Sequence, residues 1–170
     1  MSVVRQQTPA APQATPGQII AKYQASAPVD VVAIAHELGV NVWEMHFASP
    51  RISGKIFRDP LNGGPSGFSI AVNAGEPSGR KRFTVAHEVA HFILHRAKLE
   101  NGDLVDDTMY RSGLSDDEEK AANLLAAEIL MPFSLTQQLV NEGIKDVDLL
   151  AAKLQVSPTA MKIRLGIQVA

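Results

Sequence analysis

Apolar positions along the chain change period twice, and the changes mark out the elements. Ile19, Ile20 and Tyr23 recur at helical spacing just after Thr15-Pro16. That pair starts helices, because a threonine hydroxyl can cap free backbone N–H groups and proline's fixed φ suits the first helical position. Val31, Val32, Ala35 and Leu38 predict a second helix over 29–38, with Gly39 placed to stop it. From residue 40 the period falls to two, and 40–47, 52–58 and 67–73 read as strands. Asp59-Pro60-Leu61-Asn62-Gly63-Gly64-Pro65 reads as a turn between the second and third, so a small, mostly antiparallel sheet is expected.

Gly75, Pro77 and Gly79 break the chain before the apolar stretch 83–94, which reads as a buried helix. Residues 116–130 predict a longer helix with acidic residues in its first turn, where the macrodipole favours them, and Met131-Pro132 ends it. Three short helices are expected near 134–142, 147–154 and 158–165. The last two, joined by a short turn, read like a helix-turn-helix. The fold class is thus α+β. The domain reading is a disordered tail over 1–17, which holds three of the ten prolines, a core over 18–133 and a helical subdomain over 134–170 packed on it.

Composition narrows the chemistry. The 16 Lys+Arg against 18 Asp+Glu leave a net charge of -2, so no basic field recruits phosphate backbones and direct DNA binding is disfavoured. With no cysteine there is no thiolate nucleophile, and any metal must be held by histidine and carboxylate. No apolar run approaches the roughly 18–20 residues that cross a bilayer, and the N-terminus lacks a secretory apolar stretch. No membrane partner and cytoplasmic residence are the expectations. Oligomeric state is not readable from the chain.

Within the 83–94 helix lies His87-Glu88-Val89-Ala90-His91. Four residues at about 100° each return His91 to the face of His87, so both imidazoles can reach one ion. Glu88 sits one residue round, where its carboxylate can take a proton from a bound water. This composition yields such a pentapeptide by chance only ~0.008 times per chain. Two imidazoles and a carboxylate on an otherwise apolar helix also need satisfying, and a metal does that.

A catalytic zinc site needs a third protein ligand. The extended motif with a histidine six residues after His91 is closed, because Ala97 stands there. The 116–130 helix offers Glu118 and Glu119. Glu119 is preferred, since Asn123 lies one turn on and can hydrogen-bond a ligating imidazole. Tyr110, Arg111 and His95 are open candidates for oxyanion or substrate contacts. Arg80-Lys81-Arg82 reads as a solvated turn or as a contact for an acidic substrate; Trp43 reads as packing, and His36 and His46 as ordinary surface residues.

The run from Gly79 to His95, with Glu119-Lys120-Ala121-Ala122-Asn123 and Ala126-Ala127-Glu128-Ile129-Leu130-Met131-Pro132, resembles the ImmA/IrrE family of metallopeptidases. The likeness covers about 18–166 and includes the helix from Pro28-Val29-Asp30 to Leu38-Gly39 and the stretch from Ser157-Pro158 to Gly166. Ala90, Ala121 and Leu125 depart from the family pattern without removing a proposed ligand. The resemblance implies a thermolysin-like zincin core: a small sheet, an active-site helix and a glutamate-bearing second helix. It further implies site-specific cleavage of a helix-turn-helix repressor or antitoxin, relieving repression.

The expected cofactor is Zn2+, which lowers the pKa of a bound water from about 15.7 to around 7. Glu88 then takes the proton and passes it to the leaving amine. The alternative is a metal-binding protein that docks a regulator, or a DNA-binding module, without proteolytic activity. A deformylase-like amidase needs a cysteine ligand that this chain lacks.

Overall fold

A computed structural model describes residues 14–49, 51–101 and 114–168. Most of the expected tail, together with Tyr110 and Arg111, lies outside the described residues. Pro16 and Gly17, which the tail's bounds included, open the first helix.

Helix α1 spans Pro16–Tyr23 and starts on a reciprocal capping box: the Thr15 hydroxyl accepts from the Gln18 N–H, and the Gln18 side chain accepts from the Thr15 N–H. Helix α2, Val31–Glu37, is capped by Asp30, whose carboxylate accepts from the Ala33 N–H. Its buried face is Val31, Ile34 and Ala35, whereas Val32 is exposed. Gly39 ends the turn at φ +84, a left-handed conformation that L side chains rarely adopt.

Three strands follow: β1 (Val40–Met45), β2 (Gly54–Arg58) and β3 (Phe68–Asn73). The sheet order is β1-β3-β2. β2 pairs antiparallel with β3 through the expected turn, but β1 pairs parallel with β3, so the sheet is mixed rather than mostly antiparallel. Alternation reports the burial of a strand's faces and carries no information about the direction of a neighbour distant in sequence. The central position of β3 explains its near-continuous burial. Phe68, Ile70 and Val72 join the main core, and on the other face Ser69 donates to Asp59 and accepts from the half-exposed Trp43 indole.

The long helix α3 runs Ser78–Leu94, five residues earlier than its apolar stretch predicts. It packs over β2 and β3, with Phe92 edge-on to Phe68 at 5.6 Å. A short α4 (Arg96–Asn101) follows, and then α5 (Asp116–Leu130), which packs along α3. Ala122 and Ala126 on the α5 face are fully buried, and their small side chains permit that close approach. Helices α6 (Phe133–Asn141), α7 (Val147–Leu154) and α8 (Pro158–Arg164) complete the fold. Leu139, Leu150, Leu154 and Met161 belong to the same buried cluster as the sheet and α3. No helix among the described residues is long and apolar enough to cross a membrane.

Candidate metal centre

The middle of α3 is buried, and that burial sets the site's character. Val85, Val89 and Phe92 anchor the helix in the core, while His91 and Glu88 are 0% and 1% exposed on neighbouring faces. His87, one turn before His91, is partly open. Helical spacing brings His87 Nε2 to 2.9 Å from His91 Nε2.

Packing of α5 on α3 supplies the third group. The Glu119 carboxylate places Oε2 3.4 Å from His87 Nε2 and Oε1 3.5 Å from His91 Nε2. Ligand atoms of the three side chains all lie within 4.8 Å of one another. A tetrahedral cation at about 2.0–2.1 Å from each ligand separates them by roughly 3.3 Å, so the observed spacings fit such an ion with a small adjustment. Two neutral imidazoles and one carboxylate are also the donor set of a site that keeps a fourth position open.

The neighbouring Glu118 is directed elsewhere by helix capping. Its carboxylate accepts from the Ser115 N–H while the Ser115 hydroxyl accepts from the Glu118 N–H, and Lys98 Nζ lies 2.7 Å from Oε1. The Lys98 hydrogen bond, seconded by the Ser115 N–H, holds the Glu118 carboxyl down at about 2. Glu119, one residue and about 100° further round, is thereby the acid that reaches α3. Ser115-Asp116-Asp117-Glu118 is a capping-box sequence, a signal in the chain itself that separates the two acids.

The other candidates divide. His95 is buried at the C-terminal end of α3, and its Nδ1 lies 3.0 Å from His91 Nδ1. Asn123 is exposed and makes no side-chain hydrogen bond among the described residues, so the polar contact sought there for an imidazole comes from His95. Tyr110 and Arg111 lie outside the described residues. His36 and His46 are exposed. The three cations before the motif lie inside α3 and have partners in the protein. Arg80 contacts Ser53, Lys81 pairs with Glu44, and Arg82 donates to the carbonyls of Val29 and Gln155. Burial lowers the Arg82 pKa below its usual value.

No curated protein matches the chain. Among solved structures, a Mycobacterium tuberculosis transcriptional regulator is similar, with a TM-score of 0.58 and 15% identity over 89% of this chain. This chain covers 46% of that regulator's length, and at such identity the likeness is one of fold. A family model described as Peptidase_M78, IrrE N-terminal-like domain, matches residues 35–166, a span that includes His87, His91 and Glu119. The chain belongs to this metallopeptidase family.

Proposed function

We propose that the chain is a zinc-dependent endopeptidase that cuts a helix-turn-helix repressor or antitoxin at one site and so relieves repression. The observation that carries the reading is the convergence of two imidazoles from α3 and one carboxylate from α5 within 4.8 Å. His87, His91 and Glu119 would hold the ion in this reading. A zinc ion bound there would supply Lewis acidity, lowering the pKa of the attacking water and polarising the scissile carbonyl. Glu88, beside His87 on the same helix, takes the proton of the attacking water and delivers it to the departing amine. Tyr110 and Arg111 remain candidates for steadying the carbonyl oxygen. His95 suits that task less, because its Nδ1 already faces His91.

The regulator-linked role draws support from the transcriptional regulator whose fold this chain shares. In the same reading the 134–170 subdomain docks the target and does not grip DNA. Of the two cations that make α8 basic, Arg164 is already engaged with the Met131 carbonyl and the Glu128 carboxylate. Phosphate-dominated affinity needs many more positive contacts than remain.

The test mixes the purified chain with a candidate helix-turn-helix regulator, such as any encoded beside it, with zinc, with chelator, and with Glu88→Gln in place of the wild type. A discrete fragment with zinc-loaded wild type alone is expected. Full-length regulator persisting beside zinc-loaded wild type overturns the proposal.

A further inference from the structure

His91 has two ring nitrogens, and the structure occupies both. Nε2 faces His87 at 2.9 Å and Glu119 at 3.5 Å, while Nδ1 lies 3.0 Å from His95 Nδ1. A hydrogen bond between two Nδ1 atoms needs the proton on one and a lone pair on the other. A neutral imidazole that gives its Nε2 lone pair to a cation carries its single N–H at Nδ1. His91 in that state must donate, and His95 must accept and carry its own proton on Nε2. One contact therefore sets two tautomers.

We propose that His95 is a positioning residue, a neutral acceptor that locks His91 in the Nδ1–H form and aims its Nε2 at the metal; this rests on the metal-binding reading above. His95 is built for the task. It is 9% exposed, and it closes α3 with its N–H on the His91 carbonyl at 2.8 Å. Its own carbonyl accepts the N–H groups of Lys98 and Leu99 in α4, so the backbone that carries the ring is held on both sides. Metal-ligating histidines most often donate to a carboxylate or a carbonyl. An imidazole acceptor adds no negative charge, so the ligand field stays less basic and the cation more acidic than beside a carboxylate partner.

The test uses Co2+ and Zn2+ as probes on the full chain. Affinity is read by chelator competition and ligand geometry by the visible Co2+ spectrum. His95→Leu keeps an apolar filler but no acceptor, and is expected to weaken both metals about 10–100-fold, the usual cost of an outer partner. His95→Asn places an amide oxygen near the Nδ1 position and is expected to restore most of the loss and the wild-type spectrum. Nitrogen-15 shifts of the zinc-loaded wild type, which need no variant, are expected to show His91 protonated at Nδ1 and His95 at Nε2. His95 protonated at Nδ1, or His95→Leu binding both metals as tightly as wild type, overturns the inference while leaving the metal site standing. A wild type that takes up neither metal overturns both.

Discussion

Glu118 and Glu119 are adjacent in the first turn of α5 and serve different helices: Glu118 Oε1 lies 2.7 Å from Lys98 of α4, and Glu119 Oε2 lies 3.4 Å from His87 of α3. The capping box at Ser115 fixes the direction of the first acid, and helical rotation then fixes that of the second. Glu118→Gln is therefore expected to lower the melting temperature by loosening the start of α5, with zinc stoichiometry unchanged. Thermal melting and metal analysis on the same sample check both halves; a loss of zinc from this variant would contradict the division of labour.

Another acid, Glu37, ties α1 to α2. Glu37 accepts from Lys22 Nζ at 2.6 Å and from the Tyr23 hydroxyl at 2.7 Å. The Lys22 and Tyr23 hydrogen bonds hold the Glu37 carboxyl below its ordinary 4.5. A depressed carboxyl pKa contributes stability above the unfolded value, lost as pH falls through the lower folded one. The same contacts raise Lys22 above 10.5 and Tyr23 above 10.0, so their contribution is complete below those values and is lost as pH rises past them. Glu37→Gln is expected to flatten stability loss at both ends, below pH 4.5 and above pH 10.0. Denaturant unfolding across pH reads this directly.

Gly54 is required by close approach. A Cβ there would stand 2.5 Å from Thr84 Cγ2 and 2.6 Å from the Ala71 carbonyl oxygen. Gly54→Ala is expected to cost about 1–3 kcal/mol, as overpacking does. It also pushes on the helix that bears both histidines. Adding Thr84→Ser removes the methyl but not the carbonyl clash, so partial recovery of stability is expected in denaturant melts.

Much of this architecture was legible in the chain because local chemistry decided it. Thr15-Pro16 marks the start of α1, and the acidic turn and Met131-Pro132 bracket α5 at its observed bounds. The spacing of His87 and His91 already implied that the two imidazoles meet on one face of α3. What escaped depends on contacts distant in sequence. The first five residues of α3 look unfavourable alone, with Gly79 and three cations at a helix start. Ser53, Glu44 and the Val29 and Gln155 carbonyls reconcile those cations with the helix. The parallel pairing of β1 with β3 is likewise invisible to alternation. His95 lay in plain view one turn beyond His91, yet only the placement of its ring shows which nitrogen it meets.

The C-terminal helices test the DNA-binding alternative. Arg164 Nε donates to the Met131 carbonyl at 2.9 Å, and its guanidinium pairs with Glu128. Arg164→Ala is expected to destabilise the protein by about 1.5–3 kcal/mol, the range for a hydrogen bond to a charged group. Wild type is expected to give no gel shift with random duplex at physiological salt. A shift that weakens steeply with salt would favour the DNA-binding alternative.

The measurement closest to the centre of this account is zinc content after equilibrium dialysis of wild type and Glu119→Gln. One zinc per wild-type chain is predicted, with affinity more than about 100-fold lower in the variant, beyond what loss of an outer partner costs. Equal retention of zinc by the two proteins would contradict it.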